Sequence, residues 1–462
     1  MSADPASIRA VPSELQNTGI APRATSRTAS RTLGLSVMWT LGGNIGFALC
    51  QWLVLVVLAK LGRPEMVGQF ALALGLTAPI MLLASLNLRA VQSTDIRNEH
   101  SFSDYFRLRL CTTLLALAVC LAIVIFASFS LKTATVIAFV ALAKASESVS
   151  DVFYGRLQKQ EQMNRIARSM LVRGGASLLA MTTIVWATGS VVWGTLGMFL
   201  AWLTVLVTYD IRSPMRDTEI FSLRHDLVRG WSWQRLQRLM PLAWLALPLG
   251  IVQMLISLNA NVPRFFIQAF AGEHSLGIYS AIAYVTVAGS TLVVAVGQAV
   301  SPRLARMYAY RDRAGFIGLL QGLTVLFSVC CALAVAIVVT AGGPILALLY
   351  TPEYASESSL LLIFTVSFGV GSIVSVLGFG ITAARRFRPQ VPLVTISVVA
   401  ATISSAILIH QLGIIGAAWS VLFSLVVWSI GSACVLRSVL NDAHWTAPSP
   451  GVSGDPRADV TG

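Results

Sequence analysis

The chain has 462 residues, 56% of them hydrophobic and only 11% charged, with a mean hydropathy of +0.75. That balance excludes an ordinary soluble domain and indicates a polytopic membrane protein. The net charge of +13 does not point to nucleic acid. The basic residues gather in alternate loops between apolar segments, the positive-inside signature of membrane topology, and no soluble basic module with stacking aromatics occurs.

Residues 1–34 are polar, carry Arg9, Arg23, Arg27 and Arg31, and are expected to form a disordered cytoplasmic N-terminus without a removable signal peptide. The first span is expected from about Leu35 to Ala59, and the second from Met66 to Arg89. A polar, basic stretch from Asp95 to Arg109 precedes a third span that reaches Ser130. The fourth, Thr133 to Arg156, runs into the basic stretch Gly155–Ser169. Spans five (Met170 to Ala187) and six (Val191 to Thr208) flank a tight turn at Thr188-Gly189-Ser190.

Residues 209–240 are arginine-rich and include Trp231 and Trp233, as expected of an amphipathic linker lying on the cytoplasmic interface. Spans seven (Pro241 to Gln268) and eight (Leu276 to Ser301) follow, then a loop with Arg303, Arg306, Arg311 and Arg313. Span nine runs from Phe316 to Thr340, and the next loop holds Glu353 and Glu357 but no basic residue. Span ten covers Ser359 to Ala384, and span twelve ends near Leu440. Residues 441–462, rich in Pro and Gly, form a cytoplasmic tail. The expected fold is therefore all-α and polytopic, with twelve transmembrane helices and both termini in the cytoplasm.

An internal repeat divides these helices into two six-helix bundles, 35–208 and 241–440. Gly62 to Ala73 reads GRPEMVGQFALA, and Gly272 to Ala283 reads GEHSLGIYSAIA. Aligning Gly68 with Gly277 also pairs Phe70 with Tyr279, and carries the start of span one to Trp244, near the start of span seven.

Signals for an enzyme are absent. No phosphate-binding glycine loop, nucleophile elbow or paired-histidine metal helix occurs, so no catalytic residue and no cofactor is expected. The six cysteines lie in apolar spans as small hydrophobes, and the five histidines show no ligand spacing, so no disulfide framework and no metal site is expected.

What remains are polar residues inside the membrane. Lys144 falls near the middle of span four, with Glu147 and Asp151 within a ~60° arc of the same helix face. A charge at the bilayer centre costs at least ~2.5 kcal/mol and faces a bundle interior or a watery cavity. The three charges form either one wall of a translocation path or a pair that pins two helices together; Glu147 and Asp151 are also candidates for coupling a cation. Arg264 lies near the outer end of span seven, beside Pro263, which removes a backbone donor. It reads equally as a cavity ligand and as an interfacial arginine reaching for headgroups. Arg89, at the end of span two, is a cytoplasmic anchor or an inward-facing ligand. Asn44, Gln51 and Asn261 offer amides for a sugar or for contacts between helices. Cations facing a cavity call for an anion, and arginine and lysine both suit phosphate.

Three stretches are recognisable: LAKLGRPEMVGQFALALGLTAPI from Leu58, DVFYGRLQKQEQMNRIARSMLVRG from Asp151, and NVPRFFIQAFAGEHSLGIYSAIAYV from Asn261. They resemble bacterial lipid-linked oligosaccharide flippases, the Wzx-type members of the superfamily that also holds multidrug and toxin extrusion transporters. The resemblance covers about Leu35 to Leu440. It implies a V-shaped pair of bundles working by alternating access in the bacterial inner membrane. The implied substrate is an undecaprenyl-pyrophosphate-linked oligosaccharide, such as an O-antigen unit, moved from the cytoplasmic to the periplasmic leaflet. Lys144, Arg264 and Arg89 match the cationic cavity such a substrate needs. The resemblance also implies an ion gradient as driver, the lipid bilayer as partner, and other polysaccharide assembly proteins nearby. The rival readings are a cation-coupled drug or metabolite antiporter of the extrusion type and a membrane polysaccharide polymerase or ligase. No extracytoplasmic loop is large enough to favour the enzyme.

Overall fold

The computed structural model describes residues 23–95, 99–127, 129–213, 233–386, 388–441 and 445. Most of the expected N-terminus, the centre of the linker at 214–232 with Trp231, and most of the tail lie outside them. The described residues are helical throughout, with no strand. The helices are α1 (Arg23–Leu61), α2 (Pro64–Ser85), α3 (Leu88–Thr94), α4 (Phe102–Phe126), α5 (Leu131–Lys159), α6 (Met163–Thr188), α7 (Val191–Val205), α8 (Trp233–Val285), α9 (Val287–Ala309), α10 (Arg313–Leu349), α11 (Pro352–Ala355), α12 (Ser358–Ala383) and α13 (Gln390–Leu440). A π-helical turn, Leu206–Asp210, extends α7.

Among the described residues, nine helices are long and apolar enough to cross a membrane. Two of them are broken by glycine. Gly272 (φ 79°) interrupts α8 and Gly413 (φ 61°) interrupts α13, a backbone conformation that costs glycine little and other residues more. The break at Gly272 falls between the expected spans seven and eight. α5 is not among the nine, because its C-terminal part carries Lys144, Glu147, Asp151, Arg156 and Lys159. Its 29 residues are nevertheless long enough, at about 1.5 Å per residue, to cross a ~30 Å core.

Several boundaries differ from expectation: α1 begins at Arg23, inside the expected disordered N-terminus, α4 at Phe102, inside the stretch read as a loop, and α8 at Trp233, inside the expected linker, while α10 runs on to Leu349. Span two does not run on to Arg89: Leu86 (φ 50°) and Asn87 (φ 48°) adopt left-handed backbone conformations that end α2 at Ser85 and start the short α3. Arg89 thus leaves the α2 axis and comes up against α5.

Within the first seven helices, α5 packs on α2, α3, α4 and α7, while α6 packs on α1 and α7. In the later part, α13 packs on α8 and α12, and α12 also meets α9 and α10. The two parts meet chiefly where α2 crosses α8 and where α1 meets α9. Leucines, isoleucines and valines on the outer faces, including Leu115, Ile125, Leu333 and Ile337, remain exposed, as lipid-facing side chains do.

The α2–α8 crossing joins the two repeat units. A Cβ on Gly68 would lie 3.1 Å from the Gly277 amide nitrogen, and a Cβ on Gly277 would lie 3.1 Å from that of Gly68. Glu65 and His274, 209 positions apart, also meet here. The sequence repeat is therefore a contact between equivalent backbones. Gly277→Val should force the crossing apart and cost about 1–3 kcal/mol, the usual penalty of overpacking, seen as earlier thermal unfolding of the purified protein in detergent.

Candidate functional site

A cavity of about 550 Å³ lies between α2, α3, α4, α5 and α8, lined by Arg89, Arg109, Lys144, Glu147 and Asp151 with Ser148, Gln158 and Gln253. α5 supplies its charged wall, since positions 144, 147, 148 and 151 share one helix face. Lys144 Nζ bonds Glu147 Oε2 at 2.8 Å and lies 5.3 Å from the centroid of a Trp202 ring on α7. Asp151 receives two arginines. Arg109 Nη2 reaches Oδ2 at 3.1 Å, and Arg89 Nη1 lies 3.5 Å from Oδ1. Arg89 Nε donates to Gln158 Oε1 at 2.8 Å, and its guanidinium lies over Tyr154.

The pairing leaves an imbalance. Arg89, Arg109 and Lys144 face two carboxylates, so the cavity holds one surplus positive charge. Arg109 is fully buried, and its Nε has no hydrogen-bond partner among the described residues. Lys144, Glu147, Arg89 and Asp151 each keep between a fifth and a third of their side-chain surface exposed. Those charges are therefore accessible from the cavity, while Arg109 holds Asp151 in place from behind.

Arg109 was not foreseen as a site residue, because the stretch ending there reads as a loop. Its signal was present: Ser101 and Asp104 form a capping box that starts α4 at Phe102, and two turns later the arginine enters the bundle. Arg173 was also missed. It is buried on α6, its Nη2 is 2.6 Å from Asp210 Oδ2, and it lies over both Tyr154 and Trp202. Ser169 donates to the other Asp210 oxygen and shares a 2.6 Å hydrogen bond with Tyr154. An arginine amid the apolar and small residues of LVRGGAS was the cue. Trp202, approached by both Lys144 and Arg173, links this network to the cavity wall.

Arg264 does not join this cavity. It lines a second one of about 360 Å³ with Asn259, Tyr279, Ser290, Ser372 and Trp428. Its Nη1 donates to Asn261 Oδ1 at 2.8 Å and its guanidinium lies over Tyr284; no carboxylate pairs with it among the described residues. Asn261 is buried; its Nδ2 donates to Ser257 O at 2.8 Å while its Oδ1 accepts from Arg264, so it orients the guanidinium. Asn44 lines a third hollow of about 300 Å³ with Ser290 and Thr291. Gln51, half-buried on α1, lines none of the three. Glu147 and Asp151 are both engaged by cations, and no group of three or more potential metal-binding side chains occurs among the described residues.

At the opposite end of the helices, polar contacts join the earlier and later parts of the chain. Gln69 Nε2 donates to Glu273 Oε2 at 2.8 Å, and Thr133 donates to the other Glu273 oxygen. Lys60 Nζ donates to Leu348 O at 2.8 Å, and Trp52 Nε1 to Tyr350 Oη at 3.2 Å.

Removing one partner of the Arg173–Asp210 pair strands a buried charge, at about 3–5 kcal/mol. Arg173→Met should therefore lower the thermal stability of the purified protein sharply. Arg173→Met combined with Asp210→Leu should recover most of the loss, as expected of a structural pair behind the cavity wall.

The family described as polysaccharide biosynthesis protein matches residues 33–308. The capsular polysaccharide biosynthesis protein CapF of Staphylococcus aureus is 28% identical over 384 residues, 82% of this chain and 93% of CapF. Among solved structures, the inward-facing conformation of a multidrug resistance MATE family transporter of the MOP superfamily superposes with a TM-score of 0.68 at 15% identity, over 87% of this chain and 96% of that one. Lipid II flippase MurJ, in its inward closed conformation, gives a TM-score of 0.64 at 13% identity, over 89% of this chain and 87% of MurJ. At those identities the likeness is one of fold, and the fold is that of transporters and flippases.

Proposed function

Because the chain belongs to the polysaccharide biosynthesis protein family, we propose that it is a flippase for an undecaprenyl-pyrophosphate-linked oligosaccharide, moving it from the cytoplasmic to the periplasmic leaflet by alternating access. The observation that carries this reading is the surplus cation in the cavity of Arg89, Arg109 and Lys144. A pyrophosphate arriving there supplies the missing negative charge, with Arg89 offering a planar fork and Lys144 a point charge. Arg264, a cation with no acidic partner among the described residues, is the second contact for the same anion as it moves along α8.

In this reading the chain crosses the membrane twelve times. α5 is one crossing, α8 and α13 each change direction at their glycine, and the segment after Gly272 continues into α9. The bundles are residues 35–208 and 241–440, joined by the linker 209–240, and the basic loops set both termini in the cytoplasm of the bacterial inner membrane. The cavity then faces the cytoplasm, with its periplasmic end shut by the α2–α8 crossing. When an anion takes Lys144 or Arg89, Glu147 or Asp151 loses a partner and becomes the carboxylate that binds a coupling cation. Other polysaccharide assembly proteins are the natural recipients of the flipped glycan.

The rival is an antiporter of the extrusion type, favoured by the likeness to the MATE fold. A cationic drug needs free carboxylates, and both cavity carboxylates here are already paired.

In a strain lacking this protein, complete lipid-linked repeat units should accumulate on the cytoplasmic leaflet. Wild type should clear them, while Lys144→Ala should fall about 10–100-fold short, the worth of one charge-assisted contact of about 1.5–3 kcal/mol, at normal protein levels. Normal glycan with new drug sensitivity in that strain would favour the antiporter. A reporter fused after Leu440 should report cytoplasm, and a periplasmic signal would overturn the twelve crossings.

A further inference from the structure

The closed end carries a histidine set between two carboxylates. His274 stands two residues beyond the break at Gly272, with its side chain about half exposed. Its Nδ1 is 3.0 Å from Glu65 Oε1 on α2, and its Nε2 is 3.1 Å from Glu353 Oε1 on α11. A neutral imidazole has a single N–H, so it satisfies one carboxylate and turns a lone pair towards the other. With both nitrogens against carboxylate oxygens, the charge state that fits is the imidazolium, donating twice.

We propose that His274 is a proton-binding latch: protonated, it ties Glu65 to Glu353 and keeps this end of the path shut; deprotonated, it releases Glu65 and lets the end open. This rests on the alternating-access reading. Glu353 and His274 both belong to the later part of the chain and Glu65 to the earlier part, so opening must break the His274–Glu65 contact. The neighbouring ionisable groups are Arg63 beside Glu65, Lys60 bonded to Leu348 O, Glu273 bonded to Gln69 and Thr133, and the phenols of Tyr350 and Tyr354 behind Glu353. Among these chemical types only imidazole ordinarily changes charge between pH 5 and 8.

The sign follows from linkage. The closed state offers the imidazolium two carboxylate contacts and the open state one. Acid therefore favours closure and rising pH favours opening, by at most about tenfold in the open-to-closed ratio per pH unit. Because the imidazole is half exposed while the end is shut, it exchanges protons with the medium on that side, the periplasm in the orientation proposed above.

The test uses the full chain in lipid nanodiscs, without substrate. The native cysteines are replaced by alanine, and nitroxides are placed at the exposed positions Leu61 and Ser356. Electron–electron distance measurements at pH 5.5 and pH 8.0 should show a single short distance in acid and a growing longer population at pH 8.0. In His274→Gln the longer population should be present at both pH values. Glu353→Gln, at an exposed carboxylate, should weaken the pH dependence, and it serves if His274→Gln does not insert. A short distance unchanged with pH, or a pH dependence that survives His274→Gln, overturns the latch. Neither result bears on which substrate is carried, which the leaflet assay decides separately.

Discussion

A charge in hydrocarbon must be matched or solvated, and the arrangement of the first seven helices follows from that constraint. α5 carries three charged residues into the membrane on one face. The left-handed turn at Leu86 and Asn87 brings Arg89 to Asp151, and the capping box at Ser101 starts α4 early enough to bury Arg109 against the same carboxylate. α7 contributes Trp202, whose ring system lies near both the Lys144 ammonium and the Arg173 guanidinium. α3, α4 and α7 thus each supply a counter-charge or an aromatic face. The cavity is what remains between them, with one more cation than carboxylate.

The two ends of the path are held by different physics. The cavity end is a set of charges that water or an anionic ligand can reach. The closed end relies on backbone proximity, with Gly68 against Gly277 and no Cβ between them, reinforced by hydrogen bonds from Gln69, Thr133, Lys60 and Trp52. Small residues give close approach in a bilayer, where lipid is as apolar as leucine and hydrophobic burial drives helices together only weakly. Polar links at such a crossing are few and separable, as a gate requires. His274 adds contacts to Glu65 and Glu353, the ones on which the proposed latch rests.

The asymmetry between the two parts of the chain bears on transport. The earlier part holds a dense network of paired charges, whereas the later part holds Arg264 alone in a cavity of hydroxyls and aromatic rings. In the flipping mechanism proposed above, the next cation for an anion leaving the first cavity is Arg264 on α8, the helix that also forms the crossing with α2.

Much of this was legible in the sequence because the bilayer imposes simple requirements. Length and hydropathy identify the long apolar helices, alternate basic loops suggest an orientation, and Gly68 and Gly277 mark the repeat. The face shared by Lys144, Glu147 and Asp151 follows from helical periodicity alone, and Lys144, Arg89 and the two carboxylates do line one cavity. Tertiary structure decided the pairings. Periodicity has no term for two left-handed residues ending α2, so Arg89 could not be assigned to Asp151. It has none for the partner of a buried arginine on another helix, so Arg109 and Arg173 went unseen. The single cationic cavity holding Arg264 and Lys144 was implied by the family resemblance, and helix packing sets the two residues in separate cavities. Which residues enter the membrane is written in local composition; which of them meet depends on the crossing of distant helices, and that is settled only when the whole bundle packs.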